Sequence, residues 1–365
     1  MKSSAMERQK VVILLDSSQL GGIETHIVHL ALALRESSCC SEIWFYKRYS
    51  HTHPLEERLQ QQEIGFRYLE GSFKHLRHLL NAEKPLILHT HGYKAGVIGR
   101  LAALTTHTPV VSTFHNGDQG SGVVRLYTSL DKLTSWLSCN IAVSKEIAER
   151  LPKPPKVINN FINTHTFPIT NGKEIAFVGR LSHEKGPDLF LKIAAQLPEL
   201  SFRMIGSGPL ETELNDAHTD NVSLIGQVND METQWSEIGL LCISSREEGL
   251  PMVALEAMSR GIPVVAYRLG ALPQLIQQNA NGWIAPKENI RVMAELIKHW
   301  ASLDKAHLTN LSRYCQKTIE KDYSYEAILP QILSVYHEAL SKKGQSWPVN
   351  HQSPCEKPTI TELRE

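Results

Sequence analysis

Two glutamates with seven residues between them, Glu248 and Glu256, stand in the stretch Ser244-Ser-Arg-Glu-Glu248-Gly-Leu-Pro-Met-Val-Ala-Leu-Glu256. Glu248 follows an aliphatic run that reads as a strand, and Glu256 falls on the helix after it. Eight helical steps rise about 12 Å, so the two carboxylates can grip opposite ends of an extended ligand. Between them the amides of Met252, Val253 and Ala254 lie at a helix N-terminus, where unpaired N–H groups favour a phosphate. One carboxylate on sugar hydroxyls, amides on phosphate and one carboxylate on a ribose describe a nucleotide sugar. Two surface glutamates flanking an amphipathic helix would show the same spacing.

A second constellation is Phe177-Val-Gly-Arg180-Leu-Ser-His-Glu-Lys185-Gly186. An Arg and a Lys project from a loop between strand and helix. Arg can bind phosphate through two parallel hydrogen bonds, and Lys acts as a compact point charge. Together they can neutralise a departing diphosphate without a metal; a solvated surface loop is the plainer alternative. The third is Gly21-Gly22-Ile-Glu24. Two glycines let a backbone approach a ligand closely before a helix N-terminus, or simply make a tight turn. The third glycine of the dinucleotide fingerprint is absent.

Histidines form the fourth group. His89-Thr-His91-Gly92 follows one strand and Phe114-His115-Asn-Gly117 the next. On a strand, His89 and His91 would share a face. No cysteine or carboxylate nearby in sequence completes a metal site, so no metal is assigned and the pair reads as polar lining. His115 falls at a strand's carboxyl end, where a catalytic or positioning histidine would stand, as would a hydrogen-bonded loop histidine. A fifth feature is the basic segment 72–84. From 71 to 100, Lys74, Arg77, Lys84, Lys94 and Arg100 face Glu83 alone. A solvated helix face explains this more simply than a membrane or anionic-acceptor patch.

These groups need elements to position them. Val11–Leu15, Glu42–Tyr46, Pro85–His89, Pro109–Thr113 and Cys139–Val143 read as short buried strands. Helices follow at Thr25–Arg35 and about Lys94–Leu104, and Ser144 is a natural N-cap. Leu151–Lys173 carries four prolines and reads as a linker around a strand at Val157–Ile158. The pattern then restarts with strands at Glu174–Val178, Ser201–Ile205, Asn221–Ile225, Gly239–Ile243 and Pro263–Ala266. A helix begins near Gly186, and Gly206-Ser-Gly-Pro-Leu210 opens another. After Asn289 the chain is mainly helical to about Ser341.

Two strand–helix series joined by such a linker imply an α/β protein of two doubly wound domains, with ligands in the cleft at the strands' carboxyl ends. The expected division is 1–165, 166–325, a crossover helix at 326–344, and a polar, disordered tail at 345–365.

Composition agrees with this. The chain has 365 residues, 42% of them hydrophobic, with 38 basic and 38 acidic side chains. Two globular domains fit this length, and zero net charge argues against a nucleic-acid binder. Residues 1–165 carry a net +5 and residues 166–365 a net −5, which suits an anionic partner on the first half or mere surface scatter. No apolar run approaches the ~20 residues of a membrane span. Six cysteines without a Cys-x-x-Cys pair read as reduced thiols of a cytoplasmic protein.

Taken in order and spacing, these pieces resemble the retaining glycosyltransferases of the GT-B fold. Within them the match is to the family 4 group of bacterial lipopolysaccharide, capsule and mannosyl transferases. The similarity runs from about Val11 to Tyr336. It implies two Rossmann-like domains facing across a cleft, the first for the acceptor and the second for the nucleotide sugar. A C-terminal helix, introduced by Tyr323-Ser-Tyr-Glu, would cross back to the first. By resemblance Glu248 meets the donor sugar and Glu256 the ribose, while Arg180 and Lys185 bind the diphosphate. Gly21 and Gly22 match the loop that closes over the phosphate, and His115 the histidine at the reaction centre; His91 and His115 are assigned to the acceptor. Phe161 and Asn163 replace a glycine and an aspartate of the family's inter-domain segment, and Glu-Gly-Leu-Pro is a variant of the longer Glu-Gly-Phe-Gly-Leu-Pro.

The resemblance implies transfer of a hexose, with retention and no metal cofactor. The acceptor would be a saccharide or lipid-linked saccharide at the cytoplasmic side of the inner membrane. It favours front-face attack, in which the leaving phosphate takes the acceptor proton and His115 positions a substrate. A nucleotide-sugar epimerase of the same fold and a silent nucleotide-sugar-binding protein are the rival readings. Turnover without acceptor would mark the first, and binding without transfer the second.

Overall fold

The computed structural model describes residues 10–49, 52–115, 122–164, 167–170, 172–228 and 230–347. The chain forms two compact units. One comprises residues 1–159 with 328–365, the other residues 160–327.

In the first unit strands and helices alternate: β1 (Val11–Leu15), α1 (Gly22–Glu36), β2 (Ser41–Phe45), α2 (Glu56–Gln61), β3 (Gly65–Tyr68), α3 (Phe73–Glu83) and β4 (Ile87–His91). Then come α4 (Tyr93–Thr106), β5 (Val110–Phe114), α5 (Gly122–Thr134), β6 (Cys139–Ala142), α6 (Lys145–Ala148) and β7 (Lys156–Val157). The strands pair in parallel in the order β3-β2-β1-β4-β5-β6-β7. β1 is wholly buried, which explains its unbroken Val-Val-Ile-Leu-Leu run: both faces of a parallel sheet are covered. Ser144 caps α6, accepting from the Ile147 amide at 3.2 Å. β4 begins at Ile87 and ends at His91, later than the expected 85–89, so both histidines lie on the strand itself.

The second unit repeats the plan. β8 (Glu174–Val178), α7 (Pro187–Ala194), β9 (Phe202–Ile205), α8 (Glu211–Ala217), β10 (Val222–Gly226), α9 (Glu232–Trp235) and β11 (Ile238–Ile243) come first. They are followed by α10 (Met252–Ser259), β12 (Val264–Tyr267), α11 (Leu272–Leu275), β13 (Gly282–Ala285), α12 (Ile290–Ala301) and α13 (Lys305–Asp322). The sheet order is β10-β9-β8-β11-β12-β13. Alternate residues of one strand feed different cores: Ile175 and Phe177 pack on one face of the sheet, Ala176 on the other. The last helix, α14 (Tyr325–Ser341), starts in the second unit and joins the first from Ile328.

Both sheets place their first strand between the second and fourth, so each reverses direction beside strand one. That switch point, at the strands' carboxyl ends, is where doubly wound sheets hold ligands. The strands at 65–68 and 282–285 lack a clear aliphatic run and escaped the sequence reading. The cysteine reading holds for Cys39, Cys139, Cys242 and Cys315, all free and buried. Cys355 and most of the expected tail, 348–365, lie outside the described residues. Trp347, just before them, stacks on Tyr336 with ring centres 6.2 Å apart.

Candidate functional site

In the second unit the two motifs read separately in the sequence lock together at the switch point. The Lys185 ammonium donates to Glu248 Oε1 at 2.7 Å, and Ser245 Oγ donates to the same oxygen at 2.8 Å. Among the described residues this leaves Glu248 Oε2 able to accept a further hydrogen bond and two of the three ammonium protons of Lys185 able to donate one. The backbone fixes this meeting. Gly186 adopts φ +65°, and a Cβ there would fall 2.2 Å from the Ser244 carbonyl oxygen. Ser244 Oγ donates to the Gly186 carbonyl at 2.8 Å, and the Arg246 amide to the Glu184 carbonyl at 2.8 Å. Arg246 forks onto both oxygens of Asp188 at 2.8 and 2.7 Å, and these bonds hold the Asp188 carboxyl below its ordinary range.

Arg180 is exposed just past β8. Its charge is felt at Glu184. Burial pushes that carboxyl up, but the Ser182 hydroxyl, its own amide, Arg180 and Lys185 outweigh it and hold it below its usual value. Gly206 packs so closely on this loop that a Cβ would fall 1.9 Å from the Gly179 carbonyl oxygen. A cavity of about 190 Å³ opens beside the ends of β9 and β10, lined by Leu181, Gly206, Glu211, Leu214 and Gly226 among others.

Met252 opens α10 behind Pro251, with no side-chain cap. The Ala254 amide donates to the Pro251 carbonyl at 3.1 Å, so of the three amides expected to face a phosphate this one is already engaged. Glu256 lies half-buried on α10. The first residue of the second unit steadies this loop: Asn160 Nδ2 donates to the Leu250 carbonyl at 2.6 Å. Phe161, where the family has glycine, is wholly buried against the Tyr325 ring at 5.5 Å. Residues 165 and 166 lie outside the described part.

The first unit holds a different kind of site at its own switch point. Gly21 is the N-cap of α1 in extended conformation, and its missing Cβ would lie 3.0 Å from the Glu24 carboxylate. At Gly22 a Cβ would meet nothing within 4 Å. Neither glycine is needed for a left-handed turn. Glu24 is buried, and desolvation pushes its carboxyl up.

His91 ends β4, and His115 directly follows the neighbouring strand β5. His91 Nδ1 and His115 Nε2 lie 2.9 Å apart, sharing one proton. His26, on the first turns of α1, brings its ring centre to 4.7 Å from His115 and 5.4 Å from His91. His89 completes the stack, 4.3 Å from His91. Its Nε2 bonds Thr113 Oγ1 at 2.7 Å and its Nδ1 bonds the Tyr336 hydroxyl of α14 at 2.8 Å. Burial disfavours the imidazolium form throughout. His26 and His89 are pushed down to about 3, and His91 and His115 well below their ordinary value. All four are therefore neutral at pH 7.

The sequence puts His89 and His91 on one strand face and assigns His91 and His115 to the acceptor, but does not reveal His26, Thr113 or Tyr336. Tyr336, 247 residues from His89, carried no local signal. The basic segment is an amphipathic helix: Leu76 and Leu80 of α3 are buried while Lys74, Arg77 and His78 are exposed, as a solvated face requires.

Comparison with known proteins covers both units. The family described as Glycosyltransferase Family 4 matches residues 20–166, and Glycosyl transferases group 1 matches residues 162–321. An uncharacterized glycosyltransferase of Methanocaldococcus jannaschii is 25% identical over 349 residues, 87% of this chain and 95% of its own. The Escherichia coli UDP-Gal:alpha-D-GlcNAc-diphosphoundecaprenol alpha-1,3-galactosyltransferase is 25% identical over 73% of this chain and 78% of its own. Other relatives are matched over 64% of their own length. Among solved structures, Anabaena HepE in complex with UDP-glucose superposes with a TM-score of 0.77 at 18% identity, over 91% of this chain and 99% of that one. That likeness is one of fold.

Proposed function

The chain belongs to the family 4, group 1 glycosyltransferases of GT-B fold, and from that premise we propose that it transfers a hexose from a nucleotide-diphosphate sugar with retention, without a metal at the leaving group. The acceptor is a saccharide or lipid-linked saccharide of cell-surface polysaccharide synthesis. The observation that carries this reading is the Lys185–Glu248–Ser245 cluster at the second switch point. It sets a phosphate-seeking ammonium in contact with a hydroxyl-seeking carboxylate, a pair that could face the two parts of one glycosyl–phosphate linkage.

On this reading Arg180, Lys185 and the open amides of α10 stabilise the charge growing on the departing diphosphate. Glu248 Oε2 orients the sugar, Glu256 takes the ribose, and the base enters the cavity beside Gly226. The bond from anomeric carbon to diphosphate breaks as the acceptor oxygen attacks from the same face. The leaving phosphate takes the acceptor proton. His115, neutral and tied to His91, positions the acceptor rather than removing its proton. Gly21 and Gly22 are assigned to the loop that meets the donor phosphates, as the family resemblance implies. The two relatives named for UDP-sugars make a UDP-hexose the first donor to try.

Among the described residues no helix is long and apolar enough to cross a membrane. The acceptor would be met by surface contact on the cytoplasmic face. Leu126, Leu133 and Trp136 are 59, 66 and 65% exposed near Arg125 and Lys132, a mixture suited to an anionic bilayer surface.

The test supplies UDP-hexoses one at a time with a diphosphate-lipid-linked saccharide and reads the new anomeric centre by proton NMR. The reading expects an acceptor-dependent product with the donor's own anomeric configuration. An inverted product contradicts retention. Epimerised donor without acceptor, or binding without transfer, moves the assignment to the rival readings.

A further inference from the structure

Three imidazoles from separate elements, His26 of α1, His91 of β4 and His115 after β5, each offer a ligand nitrogen, and these atoms all lie within 4.8 Å of one another. We propose that this triad binds one borderline transition-metal ion of the Zn²⁺ class, leaving a fourth coordination position open. The inference stands apart from the donor-site reading, because no donor residue takes part.

Several observations select these three. A tetrahedral ion with Zn–N bonds of about 2.0–2.1 Å sets its nitrogens roughly 3.3 Å apart. The triad's ligand atoms lie within 4.8 Å of one another, and one pair of its nitrogens is 2.9 Å apart. His89, though stacked on His91, is excluded, since both its nitrogens are already bonded to Thr113 and Tyr336. Those bonds instead brace the ring that His91 rests on. His91 Nε2 is buried and has no hydrogen-bond partner among the described residues. An orphaned buried ring nitrogen carries a cost that a ligand would relieve. Neutral imidazoles need lose no proton to ligate; they only move the N–H to the other ring nitrogen. No carboxylate joins the set, which disfavours Ca²⁺ and Mg²⁺ and suits Zn²⁺, Cu²⁺ or Ni²⁺.

Occupancy has a consequence for the transferase. His115 cannot both hold the ion and position an acceptor, so metal and acceptor compete for it.

The experiment uses the full chain freed of metal with a chelator. Zn²⁺ is added and read by X-ray absorption, and Co²⁺ is added and read by visible absorption. The expected result is one ion per chain, a zinc shell of three imidazole nitrogens at about 2.0–2.1 Å, and the strong visible bands of four-coordinate cobalt. His26→Ala should weaken binding by more than the roughly 10–100-fold that loss of an outer partner costs. His26→Cys restores a ligand and should retain the ion with a new thiolate-to-cobalt charge-transfer band, which keeps the test open if the alanine variant fails to fold. Absence of stoichiometric binding would overturn the proposal. So would sulfur in the wild-type zinc shell, undiminished binding in His26→Ala, or a cysteine variant that binds without the new band.

Discussion

The two units share a topology but arm the same position with opposite chemistry. Beside strand one of the second sheet stand paired charges, Lys185 with Glu248 and Arg246 with Asp188. At the equivalent place in the first sheet stand neutral, buried histidines. Charge pairs at a loop surface are suited to a polyanionic ligand that brings its own countercharge. Uncharged imidazoles in a dry pocket are suited to orienting a hydroxyl group. On the proposed reading, one fold plan carries a charged half-site for the donor and an uncharged one for the acceptor's attacking hydroxyl, and the side chains alone decide which is which.

Acid should separate the units most sharply. His26 and His89 are held down to about 3 from an ordinary value of 6.5. Their folded state therefore binds fewer protons than the unfolded chain between those values. The stability they allow is complete above about pH 6.5 and is lost as pH falls toward 3. The slope is about 1.4 kcal/mol per pH unit for each ring, or about 5 kcal/mol over the whole window. In the second unit the carboxyls of Glu184 and Asp188 are held down from ordinary values of 4.5 and 3.8, so their contribution is lost only below about pH 4.5. Peptide-resolved hydrogen exchange should show the first unit opening at higher pH. Simultaneous opening would break the comparison.

Removal of the leaving-group charge comes next. Lys185→Ala should lower kcat by about 10²–10³ and weaken nucleoside diphosphate binding. His115→Ala should impair transfer while leaving diphosphate affinity within about twofold, as measured by calorimetry, since it serves the other half-site. Tyr336→Phe removes the bond to His89 Nδ1 and should cost about 1–3 kcal/mol in denaturant unfolding, with diphosphate affinity untouched. Gly22→Ala is the smallest change. Open space around this position predicts a stability change within about 0.5 kcal/mol. Donor affinity should nonetheless fall about tenfold, equivalent to about 1.4 kcal/mol. A destabilised variant with normal affinity would make Gly22 a packing residue.

The contrast between the units also explains what could be read from the sequence. The proposed donor half-site is built from two contiguous segments, 177–186 and 244–256, in which strand end, loop and helix start follow one another. Local spacing therefore displays the chemistry, and Arg180, Lys185, Glu248 and Glu256 could be named at once. Lys185 meeting Glu248 across 63 residues was legible only through parallel pairing of β8 with β11. The histidine cluster is assembled from α1, β4, β5 and α14, so only its members at strand ends, His91 and His115, showed themselves. His26 lay inside an amphipathic helix, where a histidine on the buried face carries no mark. The edge strands β3 and β13 escaped because Gly-Phe-Arg-Tyr and Gly-Trp-Ile-Ala lack the aliphatic run that marks the central strands. The Ala254 amide, expected to be open, is engaged by the Pro251 carbonyl, a detail of the first helical turn that no residue type announces.

The central claim is that the second unit binds a nucleoside diphosphate through its switch-point charges. The direct measurement is thermal shift with UDP, GDP, ADP and CDP, without added metal, on the wild type and on Glu256→Ala. At 100 times its dissociation constant a ligand stabilises by about 2.7 kcal/mol. The account predicts that one diphosphate raises the melting temperature of the wild type and that the shift vanishes in Glu256→Ala. No shift with any of the four, or an equal shift in the variant, would contradict it.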